Sequence, residues 1–572
     1  MRKSFVGLLV WALLTALLGG LLESPLRGAD QPPVRARKGM VVSTNPYASD
    51  VGREILQKGG NAVDAAVAVG FALAVVHPAA GNIGGGGFMV LHDAQQGREY
   101  TVDYREMAPA AAHRDMYLDE EGKAVPERSR MGYLASGVPG SVAGMHLAWQ
   151  RFGKLEWKEL VEPAIRLADE GFEVSDVLAD SLRRAARLLG QFPESKRIFL
   201  KGGQFWSEGE TFRQPELAET LRRIAEQGPD GFYRGETARL IAEDMKAHGG
   251  NITEEDLENY QPKMREPVRG TYRGYEVVSM GPPSSGGVIL VEMLNMIEPY
   301  PIAHLGFGSS RGVHLKAEVM RRAFADRAEF LGDPDFNDLP TDALVSKDYA
   351  RRWEPSIETE WASPSSYVSH GDAPGYESDD TTHYSVVDAD GNGVAVTTTI
   401  NGGYGSGVTV KGAGFLLNNE MDDFTSKPGV PNLYGLIQGE ANSVGAGKRP
   451  LSAMTPTIVK KDGQLFMVLG SPGGPTIINT VFQIILNVVD HGMNIQEAVN
   501  APRVHHQWLP DQIRAESDAL VMDVVHALQN KGHRITFTGG IGDAHCILVD
   551  PDNGMRYGAP DPRRGEAKAS GY

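Results

Sequence analysis

Two short segments rich in β-branched and aromatic residues, 383–387 and 394–400, constrain the fold of this 572-residue chain more than any other local feature. They flank the sequence Asp-Gly-Asn-Gly at 390–393, which is a strong turn signal. The pattern predicts an antiparallel β-hairpin with a three-residue loop at 389–391. In that loop Gly391 occupies the position that needs a positive φ angle.

The length of this loop also sets the register of the hairpin. Asp388 then faces Asn392. Successive pairs place Thr381 directly opposite Thr399, and Asn401 lies two residues further along the same face. Because a slip of one residue would turn these side chains to opposite faces, the register predicts contact between Thr381 and Thr399.

The segment before the hairpin, 354–380, is rich in Ser, Pro, Gly, Asp and Glu, which is typical of an exposed, mobile stretch. A threonine that begins a strand after such a stretch suits a self-processing N-terminal nucleophile. Attack of the Thr381 hydroxyl on the carbonyl of Asp380 would cut the chain between them. The freed α-amine, with an ordinary pKa of about 7.7–8.0, would then serve as the base. From residue type alone, an ordinary strand threonine remains the alternative.

The N-terminus indicates export. Arg2 and Lys3 precede an uncharged, mostly apolar run at 5–22, as in a signal peptide. We predict a cleaved signal over 1–29 and a periplasmic or secreted product. An uncleaved membrane anchor is the alternative, because the run is long and Arg27 fits poorly before a cleavage site. Membrane contact is expected only in that second case.

Composition narrows the classes of partner. A formal net charge of −17 repels phosphate backbones, so nucleic acid is not an expected partner. The single cysteine, Cys546, lies in an apolar run typical of a buried strand. The adjacent pairs His505-His506 and His545-Cys546 have side chains that can bind a metal, but they lack the spacing of a metal site. We therefore predict neither a metal nor a cofactor. The glycines of 81–87 match no phosphate-binding motif and predict a close-packed strand entry.

A coarse interpretation predicts a helix-rich first part and a strand-rich second part. The first part has a strand at 39–43, a helix buried on all faces at 61–76, a capping box at 253–256, and helices at 216–226 and 313–331. Strands are expected at 383–387, 394–400, 414–417, 457–460 and 466–470, and helices at 476–491 and 495–499. Arg321, Arg322 and Arg327 predict a solvated or salt-bridged helix face. Helices flanking mixed strands predict a layered α/β (α+β) sandwich.

A series of short motifs, in order along the whole mature chain, resembles those of the γ-glutamyltranspeptidase family. They are GGNAVDAA at 59–66, GGGGFM at 84–89, DYREMAP at 103–109, PSSGG at 283–287, AFADR at 323–327, TTHYS at 381–385, LNNEMDDF at 417–424, RPLS at 449–452, GSPGG at 470–474 and DPRR at 561–564. The resemblance implies the four-layer αββα sandwich of N-terminal-nucleophile hydrolases. It also implies self-cleavage into a large subunit, 30–380, and a small catalytic subunit, 381–572.

The resemblance assigns roles to the reacting groups. Thr381 is the expected nucleophile, and Thr399 is expected to bind and tune its hydroxyl or amine. Gly473 and Gly474 match the oxyanion hole, where two glycine N–H groups can approach a tetrahedral oxyanion closely.

The resemblance also implies how the γ-glutamyl group is held. Arg105 is expected to bind its α-carboxylate, because a guanidinium can form two parallel hydrogen bonds with a carboxylate. The alternative for Arg105 is a surface ion pair with a neighbour such as Glu106. Asn401, Glu420 and Asp423 match positions that hold the α-ammonium.

Three further residues complete the expected pocket. Ser452 matches a carboxylate-binding serine, whereas Ala453 stands where the family often has a second serine. The missing hydroxyl predicts weaker or broader γ-glutamyl selectivity without loss of activity. Tyr434, in the loop 428–435, is expected to form a lid that excludes water.

The implied activity is that of a γ-glutamyltransferase and glutathione hydrolase. Thr381 would form an ester with the γ-glutamyl group of glutathione or a similar compound, and water, an amino acid or a dipeptide would accept it. A β-lactam side-chain (glutaryl) acylase of the same fold is one alternative, although a glutaryl group has no ammonium for Asp423. A non-catalytic periplasmic protein that binds γ-glutamyl compounds is another, which the intact Thr381, Thr399, Gly473 and Gly474 disfavour.

Overall fold

Two seven-stranded antiparallel sheets face each other in this protein, seen in a computed structural model that describes residues 31–368 and 381–572. The predicted signal segment, 1–29, and the cleavage residue Asp380 lie outside the described residues. The first sheet runs Val34–Ala36, Arg556–Pro560, His545–Val549, Gln464–Leu469, Thr457–Lys461, Tyr275–Ser279, Val268–Tyr272. The second runs Lys568–Gly571, Met40–Ser43, Thr382–Val387, Gly393–Thr399, Gly86–Asp93, Arg98–Asp103, Lys263–Arg265.

Helices cover the outer faces of these sheets. The longer helices are Pro46–Gln57, Ala62–Val76, Ser141–Phe152, Trp157–Asp169, Asp176–Arg184, Pro215–Gln227, Gly235–Ala247, Gly286–Ile297, Ser310–Phe330, Thr476–Val489 and Met522–Asn530. Shorter helices include Pro126–Arg130, Pro193–Phe199, Glu254–Asn259, Lys347–Trp353 and Ile495–Asn500. Two small sheets, Val504–His505 with Ile513–Glu516 and Ile535–Thr538, and Phe172–Glu173 with Thr211–Phe212, lie outside the central pair.

The helix Ala62–Val76 packs against the central strands of the second sheet, and every one of its residues is buried. Asn61 caps its first turn, and Asp64 completes the capping box. The buried helix predicted at 61–76 and the capping box predicted at 253–256 are therefore both confirmed.

The space between the two sheets changes from apolar to polar along the hairpin. At the turn end, Val387 and Ala395 belong to the apolar core that both sheets share. Toward the other end, the same face carries Ser385, then His383 beside Thr397. Buried polar groups need hydrogen-bond partners, so this gradient marks the far end of the hairpin as a place with a role beyond packing.

The sequence-based strands and helices are confirmed with shifts of a few residues at their ends, with one exception. The strand predicted at 414–417 is wrong, because this stretch forms only an isolated bridge between Thr409 and Leu416. Gly414 has a φ of 77°, which interrupts an extended conformation. A side chain there would also meet the backbone of Leu217 at 2.6 Å.

The division into a helix-rich and a strand-rich part is also incomplete. Strands from before Thr381 contribute to both central sheets, for example Gly86–Asp93 next to Gly393–Thr399 and Tyr275–Ser279 next to Thr457–Lys461. The two parts of the chain are therefore interleaved within each sheet.

The third predicted helix shows a further difference. Arg321, Arg322 and Arg327 are 1–2% exposed, so the face they form is buried and not solvated. Arg322 pairs with Glu318 at 2.6 Å, and Arg321 pairs with Glu318 at 3.4 Å and with Asp511, which confirms the salt-bridged form of the prediction for these two residues. Amphipathic periodicity alone does not reveal that a charged face lies under other elements.

Half of the segment expected to be mobile is described. Within 354–368 the chain forms the 3₁₀ turn Glu354–Ser356 and the single helical turn Ser365–Val368. Ser365 is buried and binds the carbonyl of Trp508 at 2.7 Å, so this part is anchored. Residues 369–380 lie outside the described residues. Of the helices that are described, none combines the length and the apolar character needed to cross a membrane.

Candidate active site

The predicted hairpin has the predicted register. Thr382 pairs with Thr398, the Asp388 N–H donates to the Asn392 carbonyl at 3.1 Å, and Gly391 has a φ of 90°. The next pair brings the hydroxyl oxygens of Thr381 and Thr399 to 3.5 Å from each other. The contact predicted between these two threonines is therefore confirmed.

Asn401 reaches the same place by a different route from the one predicted. The strand ends at Thr399, and Asn401 turns into the left-handed region with a φ of 71°. Its N–H donates to the Thr399 hydroxyl at 2.8 Å, and its side chain donates to the Asn419 carbonyl at 2.9 Å. A local turn, and not continuation of the strand, places Asn401 beside the two threonines.

Thr381 borders a small cavity of about 20 Å³. The predicted site residues that line it are Arg105, Thr381, Thr399, Asn401, Glu420, Asp423, Tyr434, Ser452, Ala453 and Gly474. These residues come from distant parts of the sequence, and all are buried. The volume holds about one water molecule, so a larger ligand requires part of the wall to move.

One wall of the cavity is the segment around Tyr434, which the sequence predicts to act as a lid. Its hydroxyl donates to the Asn401 carbonyl at 2.8 Å, and its ring packs against Gly474. The backbone beside it is tied down by polar contacts, from the Leu433 N–H to Asp422 at 2.6 Å and from Asn432 to Asp423 at 3.2 Å. Polar contacts of this kind can be exchanged without loss of apolar core packing, so the segment retains the predicted role of a lid as a hypothesis.

Gly473 and Gly474 form a turn that only glycine tolerates, and Gly474 packs against the Tyr434 ring. Their φ angles are 130° and 52°, and a side chain on Gly473 would lie 2.3 Å from the Thr476 hydroxyl. A side chain on Gly474 would meet the Tyr434 ring at 2.8 Å. Neither N–H donates a hydrogen bond to a residue in the described part of the chain, so two donors are available at this turn.

Arg105 lies fully buried in the cavity wall, within a group that we call the cavity cluster: Arg105, Glu106, Glu420 and Asp423. Its Nη1 donates to Glu420 and its Nη2 to Asp423 at 2.5 Å. Glu106 lies 3.6 Å from Nη1, and since both residues are buried, the alternative of a surface ion pair is wrong. Arg105 therefore contacts the two acidic residues that were expected to hold an ammonium.

The cavity cluster has more carboxyl groups than its arginine can neutralise. Burial raises the pKa of Glu106 to about 7, against the opposing charge of Arg105, and burial also raises the pKa of Glu420. Both carboxyl oxygens of Glu106 and one of Glu420 have no hydrogen-bond partner among the described residues. Burial would lower the pKa of Arg105, but the neighbouring carboxylates outweigh it and raise that pKa.

Ser452 and Ala453 form the adjacent wall. The Ser452 hydroxyl oxygen accepts the Met454 N–H at 3.1 Å, which leaves its proton to be donated. The Ser452 backbone is held by Ser285, whose N–H donates to the Ser452 carbonyl at 2.8 Å. Ala453 presents only a methyl group to the cavity, as the sequence requires.

Arg327 is a cavity residue that the sequence reasoning missed. It was expected on a solvated or salt-bridged face, yet it is 2% exposed and lines the cavity with Thr381 and Arg105. Only its place in the AFADR motif marked it, because the packing of its helix over the cavity is a tertiary feature.

His383 is a second missed residue, buried two residues after Thr381 on the same face of the strand. It contacts the Thr397 hydroxyl through Nδ1 at 2.9 Å and the Ser385 hydroxyl through Nε2 at 3.1 Å. Because Ser385 donates its proton to the His545 carbonyl, His383 must donate from Nε2 and accept at Nδ1. Burial holds its pKa well below the ordinary value, so the ring is neutral. The ring also abuts Gly470, where the turn with Gly473 begins.

A second buried group, which we call the C-terminal cluster, consists of Arg503, Glu516, Asp561 and Arg563. Asp561 pairs with Arg503 at 2.6 Å and with Arg563 at 3.0 Å. Glu516 pairs with Arg563 at 2.6 Å, and although burial would raise its pKa, Arg563 leads the contacts that lower it. The same carboxylates accept backbone N–H groups of 541–544, the segment that packs against Gly473.

One group of side chains has the composition of a metal site. The ligand atoms of His314, Glu318 and His533 all lie within 4.8 Å of one another. However, the two histidines bond each other at 2.8 Å, and Glu318 accepts from Arg322 and from the Ser363 N–H. These contacts satisfy the three side chains without an ion, and the group does not touch the cavity.

Comparison with known proteins gives one consistent result. The family model described as gamma-glutamyltranspeptidase matches residues 48–571. The chain is 50% identical to the glutathione hydrolase proenzyme of Escherichia coli strain K12, over 94% of this chain and 93% of that one. It is 48% identical to the glutathione hydrolase proenzyme of Pseudomonas sp. strain A14, over 97% and 99% of the two chains. The fold is similar to that of the cephalosporin acylase from Bacillus halodurans, with a TM-score of 0.84, 28% identity, and coverage of 96% and 98%.

Proposed function

This chain belongs to the γ-glutamyltranspeptidase family, and we propose that it is a γ-glutamyltransferase and glutathione hydrolase whose nucleophile is Thr381. The observation that carries the proposal is the meeting of three features in one cavity. The Thr381 hydroxyl lies 3.5 Å from that of Thr399, Gly474 lines the cavity with Gly473 beside it in the chain, and Arg105 with Asp423 supplies both signs of charge.

The first reaction of Thr381 is on its own chain. Its hydroxyl oxygen bonds to the carbonyl carbon of Asp380, the peptide nitrogen leaves as the new α-amine, and water hydrolyses the resulting ester. The products are a large subunit, 30–380, and a small subunit, 381–572. Since both parts contribute strands to each sheet, they stay together after cleavage, in the four-layer αββα arrangement of N-terminal-nucleophile hydrolases.

The second reaction uses the same hydroxyl on a γ-glutamyl amide such as glutathione. The α-amine takes the proton from Thr381 as its oxygen bonds to the γ-carbonyl carbon, and the N–H groups of Gly473 and Gly474 stabilise the oxyanion. The proton passes to the departing amine, here cysteinylglycine. Water or an amino acid or dipeptide amine then attacks the ester and releases Thr381.

The ion pairs in the cavity wall indicate how a zwitterion would be bound. Arg105 and Asp423 pair with each other at 2.5 Å, so neither is an isolated buried charge. When the lid at Tyr434 opens, the α-carboxylate of the donor takes its place on Arg105 and Ser452. The α-ammonium takes its place on Glu420 and Asp423. Binding is thus an exchange of ion pairs, which limits its desolvation cost.

The compartment forms part of the same proposal. An N-terminal export signal would place the enzyme in the periplasm or outside the cell. The basic pair Arg2 and Lys3 followed by the apolar run 5–22 supports export.

The test is the fate of the purified chain on a denaturing gel. Wild-type protein should give a band of about 21 kDa whose N-terminal sequence is Thr-Thr-His-Tyr-Ser. Thr381→Ala should remain one chain and lack γ-glutamyl transfer. The matched control is Thr382→Ala, since the Thr382 hydroxyl has no partner among the described residues and should be dispensable. An active wild type that stays uncut, or a Thr381→Ala protein cut at this site, would refute the mechanism.

A glutaryl acylase remains the second candidate because the fold is similar to that of a cephalosporin acylase. The pocket disfavours it, since Glu420 and Asp423 would be left without an ammonium to bind. Turnover of γ-glutamyl and glutaryl anilides by the same preparation separates the two, and we expect the γ-glutamyl compound to have the higher kcat/KM.

A further inference from the structure

The cavity contains two buried arginines, and their surroundings differ. Arg105 donates to two carboxylates, as described above. Arg327, on the helix Ser310–Phe330, has no carboxylate within 4.0 Å in the described part of the chain. Its one side-chain partner is neutral, the Ser285 hydroxyl, which accepts from Nε at 2.8 Å.

The guanidinium of Arg327 is also incompletely bonded. Its Nη1 is buried and has no hydrogen-bond partner among the residues that the structure describes. Burial lowers its pKa to about 10, so it stays charged at neutral pH. A buried charge with an open donor is costly unless an anion from outside completes it. Since Arg327 lines the cavity next to Thr381, that anion belongs to a molecule bound there.

The cavity wall also lacks a second hydroxyl donor beside Ser452. Ala453 presents a methyl group beside Ser452, so only one hydroxyl on this wall can reach a carboxylate. Arg105 can turn to a ligand only by giving up contacts with Glu420 and Asp423. Arg327 has no such contacts to give up.

We propose that Arg327 is a specificity-determining residue that donates to the free carboxylate of the bound acyl group and recognises it independently of the ammonium. The inference rests on the proposed function, because it concerns the acyl group that Thr381 receives. Arg327 contacts the carboxylate together with Arg105 and Ser452, while Glu420 and Asp423 bind the ammonium. The two ends of the acyl group are thus recognised by separate residues.

Three small competitive inhibitors separate these contacts. L-Glutamate carries both the carboxylate and the ammonium, glutarate lacks the ammonium, and 4-aminobutyrate lacks the α-carboxylate. For Arg327→Gln we expect inhibition constants for glutamate and glutarate to rise about 10- to 100-fold, as for one charged hydrogen bond. The constant for 4-aminobutyrate should change less than about 2-fold. Asp423→Asn should show the reverse pattern, with glutarate unaffected.

Two further variants keep the test decisive. Arg327→Lys retains the charge and should recover part of the glutarate affinity. It replaces Arg327→Gln in the inhibition test if that variant does not fold or self-cleave. Arg322→Gln is the matched control, a buried arginine on the same helix that pairs with Glu318 away from the cavity. It should leave all three inhibition constants unchanged in the protein that folds.

The outcomes are distinguishable from failure of the proposed function. A wild-type protein that neither self-cleaves nor turns over γ-glutamyl anilide removes the proposed function itself. If wild type is active but Arg327→Gln weakens all three inhibitors equally, or none of them, Arg327 only supports the fold and the inference is overturned.

Discussion

The cavity cluster and the C-terminal cluster consist of the same kinds of residue, yet their carboxyl groups differ in how many hydrogen-bond partners they have. In the C-terminal cluster, Glu516 and Asp561 accept arginine and backbone N–H groups on both oxygens. In the cavity cluster, Glu106 and one oxygen of Glu420 have no partner among the described residues. The pKa of Glu516 is lowered, whereas burial raises that of Glu420.

The difference separates stability from function. A buried ion pair with every oxygen bonded holds chain segments together, as the C-terminal cluster does for 541–544 behind Gly473. A buried cluster whose carboxyl oxygens are open can gain the missing partners from a ligand. The unpartnered carboxyl oxygens of the cavity cluster cost stability that the C-terminal cluster does not lose, and substitutions in the two clusters test this contrast.

The largest expected effect is from Asp561→Asn. It leaves Arg503 buried without its counter-charge, so we expect the free energy of unfolding to fall by about 3–5 kcal/mol, measured by urea unfolding. Asp423→Asn is the matched change in the cavity cluster, where Glu420 and Glu106 still surround Arg105. Because Arg105 keeps two carboxyl neighbours, this change should cost less stability than Asp561→Asn and instead raise KM for γ-glutamyl donors. Equal losses of stability in the two variants would contradict the contrast.

The second test is the pH dependence of stability in Glu106→Gln. Because the folded pKa of Glu106 is raised to about 7, its stabilising contribution is complete below the unfolded value of 4.5 and is lost as pH rises through 7. The variant lacks this loss. Between pH 4.5 and 8 its free energy of unfolding should therefore rise by about 1–3 kcal/mol relative to that of wild type.

Glu516→Gln should show the opposite sign. The folded pKa of Glu516 is lowered, so its contribution is present above the unfolded value of 4.5 and disappears as pH falls through the folded pKa. The difference in free energy of unfolding between wild type and Glu516→Gln should therefore become smaller at acidic pH. Parallel pH curves for Glu106→Gln and Glu516→Gln would remove the distinction between the two clusters.

The smallest expected effect is from Ala453→Ser, which adds a donor to the cavity. One neutral hydrogen bond corresponds to about 0.5–1.5 kcal/mol, so kcat/KM for a γ-glutamyl donor should rise about 2- to 10-fold. The stability of the protein should be unchanged. Ala453→Gly adds no donor and serves as the control; if it raises kcat/KM as much as Ala453→Ser, the added hydroxyl is not responsible.

The site residues were predictable to different degrees. The hairpin register and the Thr381–Thr399 contact followed from a turn signal and a two-residue period, which act over a few neighbours. The glycine turn at 473–474 followed from residue type and motif order. The predicted strand at 414–417 was wrong because Gly414 adopts a left-handed conformation that interrupts it. No pattern in the neighbouring sequence indicated that conformation.

The sequence by itself determined the nucleophile hairpin, the buried helix at 61–76 and the order of the family motifs, because local backbone preferences and periodicity determine these features. Only the tertiary structure decided that Arg105 pairs with Glu420 and Asp423, more than 300 residues away. It also decided that Arg327 is buried in the cavity with an open donor. Charge pairing and desolvation depend on which distant elements pack together, and a linear pattern of charges does not contain that information.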